Sequence, residues 1–111
     1  MIRVVVADPL NPLAEIKMID PSSIGKEVKG WIQVVQMRGE GDVFNLWMNE
    51  EGKLQGLNPN FLIFGGHDIL LGNAVISKSD NEGEEIGLTE EEAGFWLNRV
   101  AEVKKNDSPL F

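Results

Sequence analysis

Residues 2–7 read Ile-Arg-Val-Val-Val-Ala, β-branched and apolar with one charge, which predicts a strand largely covered on both faces. Pro9 and Pro12 end it in a turn, because proline cannot donate to a sheet ladder. From 14 to 19 the pattern alternates. Ile16 and Met18 share one side, Glu15 and Lys17 the other, so a half-buried strand pairs with the first as a hairpin. Asp20-Pro21-Ser22-Ser23 then opens a helix, with Asp20 able to accept from an orphan amide and Pro21 suited to the first helical position. Only Ile24 and Val28 make its apolar side, and Gly25 and Gly30 limit it to about two turns.

Two alternating runs, 31–37 and 43–49, flank a glycine-containing loop at 38–42 and predict a second hairpin. Residues 50–53 form a turn, 61–64 a short apolar run, and 68–77 a buried strand bent or bulged at Gly72-Asn73. Residues 79–85 are a polar, acidic turn, with one further short strand possible at 85–88. From Thr89 to about Lys104 the signals for a helix agree. Thr89 and Glu92 form a capping box, and Glu90, Glu91 and Glu92 sit at the positive end of the helix dipole. Lys104 and Lys105 sit at the negative end, and Ala93, Trp96, Leu97, Val100 and Ala101 recur along one apolar side. The expected class is α+β: a mainly antiparallel sheet with one short helix and a C-terminal helix packed on it. Residues 1–105 are expected as a single globular domain and 106–111 as a flexible tail.

Composition narrows the chemistry. The 111 residues contain no cysteine, which removes thiol catalysis, zinc ribbons and iron–sulfur clusters. Ten basic against 18 acidic residues give a formal charge of -8, which repels phosphate backbones and argues against direct nucleic-acid binding. No apolar run approaches a membrane span, and the start lacks the basic region of a signal peptide, so a cytoplasmic protein is expected. One histidine, His67, follows Gly65-Gly66, but a lone histidine without cysteine cannot make the usual zinc sites. No nucleophile elbow and no phosphate-loop motif is present, and the Gly39/Gly41 spacing reads as a hairpin turn. Seven of the 18 acids fall in the thirteen residues 80–92, without the frame of a calcium loop. They read as a solvated turn feeding a helix, or as an acidic docking patch. No metal, cofactor or catalytic residue is assigned, and an enzyme is the weaker class.

The second hairpin carries the least ordinary pattern. Counting by twos puts Phe44, Leu46 and Met48 on one face and Asn45, Trp47 and Asn49 on the other. If Ile32 and Val34 join the core, then Trp31 and Gln33 point outward with Asn45, Trp47 and Asn49, and a five-residue loop sets Val35 near Asn45, Gln33 near Trp47 and Trp31 near Asn49. Indoles among amides make a binding surface for a planar polar ligand or a protein. The other reading is that a further element or a second subunit covers this face, and a homodimer is one way to do so. Asn58, Asn60 and Asn73 are added as possible pocket residues, against the plainer reading of turn asparagines.

A set of motifs extends the picture: Ile2-Arg3-Val4-Val5-Val6, then Asn49-Glu50-Glu51-Gly52-Lys53-Leu54 with Gly56-Leu57-Asn58, then Asp68-Ile69-Leu70-Leu71-Gly72-Asn73, then Gly83-Glu84-Glu85 and Leu88-Thr89-Glu90-Glu91-Glu92. Over residues 1–103 the chain resembles a family of small proteins of unknown function carried by bacteriophages, plasmids and conjugative elements. That family often has an asparagine–arginine pair where this chain has Asn60-Phe61, which counts against an anion site there. The resemblance implies a mobile-element accessory gene acting in the host cytoplasm, and no catalytic residue. The expected function is a non-catalytic binding protein that interferes with a host defence or metabolic protein. Its acidic surface suits a basic partner. The alternatives are a protein that sequesters a nucleotide-like ligand, with Lys29, Arg38 and Lys53 gathered near the hairpin ends, and a weak carboxylate-dependent hydrolase.

Overall fold

Strand β1 (Ile2–Ala7) is covered on both faces, as its composition demands, with Val4, Val5, Val6 and Ala7 all buried. The computed structural model describes residues 1–39 and 42–111. β1 pairs antiparallel with β2 (Glu15–Ile19) on one side and with β7 (Ala74–Lys78) on the other. The second hairpin, β3 (Ile32–Gly39) and β4 (Asp42–Asn49), joins through β4 to β7, giving one antiparallel sheet in the order β2-β1-β7-β4-β3. β5 (Pro59–Ile63) and β6 (Asp68–Leu71) form a separate two-stranded hairpin. The architecture is α+β, with a short helix α1 (Ile24–Val28) and a long C-terminal helix α2 (Glu90–Asn106).

The five-stranded sheet has a core on each face. On one, Val5, Leu46, Ile76, Phe44 and Met37 meet Trp96, Val100 and Val103 of α2 and Phe61, Ile63 and Leu70 of the small hairpin. On the other, Val4, Val6 and Val75 meet Ile24 and Val28 of α1, with Trp47 packed against them. The 17-residue α2 and the small hairpin share the cover of one face, whereas five-residue α1 covers only part of the opposite one. The α2 stripe runs Ala93, Trp96, Val100, Val103; Leu97 and Ala101, expected in it, lie at its half-buried margin.

The capping box is present, with the Thr89 hydroxyl accepting from the Glu92 amide at 3.1 Å and the Glu92 carboxylate from the Thr89 amide at 2.9 Å. Thr89→Ala should therefore cost about 1 kcal/mol in chemical denaturation. Lys78 reaches the same carboxylate at 2.7 Å. Burial alone would raise the Glu92 carboxyl, but the bonds from Lys78 and Thr89 outweigh it and hold its pKa below the ordinary 4.5. A depressed carboxylate stabilises fully above its unfolded value, and that stabilisation is lost as pH falls. The melting temperature should drop below pH 4.5, and Glu92→Gln should flatten that acid limb while lowering stability at neutral pH.

Four expectations are corrected. The run 68–77 is not one bent strand. Gly72, at φ 88°, turns the chain from β6 in the small hairpin to β7 in the centre of the large sheet. The β3–β4 ladder runs on to Gly39 opposite Asp42, so the strands are longer than 31–37 and 43–49 and the five-residue loop shrinks; residues 40 and 41 lie outside the described residues. Segment 85–88 makes only an isolated bridge, Ser79 with Glu85, then wedges between β7 and β1 through Gly87 to the Lys78 carbonyl and Leu88 to the Arg3 carbonyl. Residues 106–111 do not hang free. The Leu110 amide bonds the Leu62 carbonyl, Leu110 is buried, and Phe111 meets Phe64 edge-on at 5.2 Å. Apolar residues after Pro109 find a groove beside β5, which the polarity of the stretch concealed.

Candidate functional site on the β3–β4 face

The register decides what this face displays. Val34 pairs with Trp47, Ile32 with Asn49 and Gln36 with Asn45, one residue away from the expected pairing. Because side chains alternate, a one-residue slip exchanges the faces of a whole strand. Gln33 and Val35 therefore sit on the α2 side, opposite Met48 and Leu46, and Trp31, which precedes β3, shares their parity. The expected grouping of Trp31 and Gln33 with Asn45, Trp47 and Asn49 does not form. Ile32 and Val34 take their place beside Trp47.

The two asparagines of β4 are buried and engaged. Asn49 Nδ2 donates to the Val28 and Lys29 carbonyls at 3.5 and 3.4 Å, and its Oδ1 accepts from the Glu51 amide at 2.8 Å. It thereby closes the end of α1 and the turn after β4. Gly30 makes room for it, since a Cβ there would lie 2.6 Å from Asn49 Nδ2. Asn45 Nδ2 donates to Glu85 Oε1 at 2.8 Å and to Ser79 Oγ at 2.6 Å. Ser77 Oγ donates to Glu85 Oε2 at 2.8 Å and accepts from Trp47 Nε1 at 2.8 Å. Glu85 thus ties the acidic turn to the sheet through a network that ends on the Trp47 indole. That network was not anticipated. Its signal in the sequence is Ser77 and Ser79 two apart across the end of a strand, able to share a face with Asn45.

Trp47 is half-buried, packed on the second core and hydrogen-bonded, so it is not a free ring. Trp47→Ala should lower stability by about 2 kcal/mol, combining lost apolar burial with an orphaned Ser77 bond, rather than leaving it nearly unchanged. Trp31, at 73% exposure, and Ile32 and Val34, at 43% and 46%, are the open apolar residues of this hairpin. Asn58 is exposed at the entry to β5, where its carbonyl accepts from the Gly72 amide at 2.8 Å. Asn60 Nδ2 stitches β5 to the large sheet through the Ala7 and Gly72 carbonyls at 3.0 and 2.9 Å. Neither is near Trp47 in the strand order.

The cations do not gather as an anion site. Lys53 pairs with Asp68 at 3.2 Å. Lys29 lines a groove of about 350 Å³ with Lys17 and Lys26, but Asp8, Glu15 and Glu27 line it too, and Lys17 is paired with Glu27 at 3.2 Å. Among the described residues no group of three or more histidine, aspartate or glutamate side chains could hold a metal ion, and no helix is long and apolar enough to cross a membrane.

Residues 2–101 match the family model described as Domain of unknown function (DUF3846). The chain belongs to this family. No curated protein and no solved structure matches it. The DUF3846 match covers every strand of both sheets and the first three turns of α2, so the β3–β4 face lies wholly inside the family domain.

Proposed function

We propose that this DUF3846 chain is a non-catalytic accessory binding protein of a phage or other mobile element, which docks on a basic host protein in the host cytoplasm. The observation that carries the reading is the partly open apolar strip of β3. Ile32 and Val34 stand partly open beside half-buried Trp47 on a part of the sheet that five-residue α1 roofs only in part. A flat apolar strip flanked by polar surface fits a protein partner. It fits a planar polar ligand poorly, because Asn45 and Asn49, the amides such a ligand would need, already have partners within the protein. The charge of -8 favours a basic partner and speeds its encounter. The hydrolase reading finds less support. Ser77 and Glu85 are 2.8 Å apart, but the serine is fully buried and a substrate could not reach its hydroxyl.

The test is affinity capture from host lysate with the natural chain and the Ile32→Ser/Val34→Ser double variant side by side. A basic protein retained by the first and lost by the second, with the variant's circular dichroism unchanged, is the expected result. Equal retention by both would move the site elsewhere.

A further inference from the structure

Residues 107–111 leave α2 and return to the small hairpin. Asp107 ends the helix in the left-handed region, at φ 52°, and the Ser108 amide closes the turn on the Val103 carbonyl at 3.1 Å. The chain then runs beside β5 as an added strand. Pro109 bridges Leu62 in the parallel sense, the Leu110 amide donates to the Leu62 carbonyl at 2.8 Å, and the Gly65 amide donates to the Phe111 carbonyl at 2.8 Å. Leu110 is buried, while Ser108, Pro109 and Phe111 stay partly exposed. The loop that receives Phe111 is strained. Phe64, Gly65 and Gly66 have φ of 52°, 63° and 92° in succession. Glycine adopts such angles freely, but a bulky phenylalanine does so only where its surroundings hold it. Here the returning segment holds it, with the Phe111 ring edge-on to Phe64 at 5.2 Å and the Phe111 carbonyl on the next amide.

We infer that the groove beside β5 is a peptide-recognition site for an extended segment of proline followed by two apolar residues. The chain's own residues 108–111 are its resident occupant, a strap that lifts before a partner's segment enters. The seated strap shows what the site reads. Backbone pairing with Leu62 selects an extended chain, and the buried Leu110 position selects an apolar side chain, which is the physics of recognition by strand addition. The hold is light, because four residues are ordered for one buried side chain. Lifting the strap also frees Phe64 to relax, which offsets part of the lost contact. Ser108-Pro109-Leu110-Phe111 carries no charged side chain, so the net charge of -8 neither selects nor repels an occupant of this kind. β5 and the Phe64–Gly66 loop lie inside the residues matched to the family, 2–101, and the strap follows them. The site is independent of docking at β3, since β5 belongs to the other sheet.

The test uses the full chain, natural and Leu110→Ser, titrated to about 1 mM with a synthetic peptide of residues 106–111 capped at both ends and followed by backbone amide NMR. Leu110→Ser weakens the resident strap, so its chain should bind the peptide about tenfold more tightly than the natural chain, whose site is mostly filled. The shifts should centre on the Leu62 and Gly65 amides, and a peptide carrying serine in place of leucine should cause none. A folded Leu110→Ser chain that ignores the peptide would overturn the site. A Leu110→Ser chain that unfolds would overturn it too, because the segment would then be core rather than strap. Hydrogen exchange on the natural chain gives a second reading without any variant. The Leu110 and Gly65 amides should exchange at least about a hundredfold faster than those of central strand β7. Equal protection at both places would mean that the segment leaves only when the whole domain unfolds, and the inference would fail.

Discussion

Trp96→Ala should be among the most destabilising single substitutions in the chain, lowering the unfolding free energy by about 3–5 kcal/mol. Trp96 is buried in the middle of α2 and meets Phe44 of β4 edge-on at 5.3 Å and Phe95 at 5.1 Å. Its removal opens a large void between the helix and the central strands, and interiors packed at crystal density close such voids only in part. Trp96 Nε1 is buried and makes no hydrogen bond among the described residues. The whole value of the ring is therefore packing, and Trp96→Phe should cost clearly less than the alanine variant. Urea denaturation of the two variants checks the order. An unchanged midpoint for Trp96→Ala would mean that α2 does not hold the sheet.

Gly87→Ala should cost roughly 2–5 kcal/mol, an unusual penalty for one methyl group. Gly87 has φ 76°, the left-handed region, and sits where the chain wedges between β7 and β1. A Cβ there would stand 2.8 Å from both the Arg3 amide nitrogen and the Ile2 Cβ, and 3.1 Å from the Arg3 carbonyl oxygen. Two of those atoms are backbone and cannot rotate aside, so β1 must shift or the wedge must leave. The hydrogen bond from the Leu88 amide to the Arg3 carbonyl should weaken, which hydrogen exchange at Leu88 would show alongside the lower melting temperature. Gly83→Ala is the control: it also has positive φ, 83°, but no atom lies within 4 Å of its Cβ position, so only the backbone strain remains.

Much of this was legible in the chain. The Thr89 capping box, the acids before it, the apolar stripe of α2 and the α+β class follow from local rules, because capping and helical periodicity are decided within a few residues. The β3–β4 face was legible only in part. Phe44, Leu46 and Met48 identify the core side of β4, but nothing within 31–37 says which of its two alternating sets is buried. Ile32 and Val34 are more apolar than Trp31 and Gln33, and the inference that the apolar set turns inward failed for a physical reason. β3 is an edge strand, and five-residue α1 covers it only in part: a Cβ at Gly25 would lie 3.8 Å from Ile32 Cγ2, yet Ile32 and Val34 stay 43% and 46% exposed. Which strand lies at the edge is a property of the whole sheet, set by β7 inserting between β1 and β4. The Asn45–Ser77–Glu85 network was hidden for the same reason, since its members come from three separate segments.

A captured host protein should protect this chain from amide hydrogen exchange at its docking surface. Protection over 32–36 of β3 and 45–49 of β4, lost in the Ile32→Ser/Val34→Ser variant, is the predicted result. Protection confined to the Asn58–Asn60 loop or to the acidic turn at 80–85, with β3 unchanged, would contradict it.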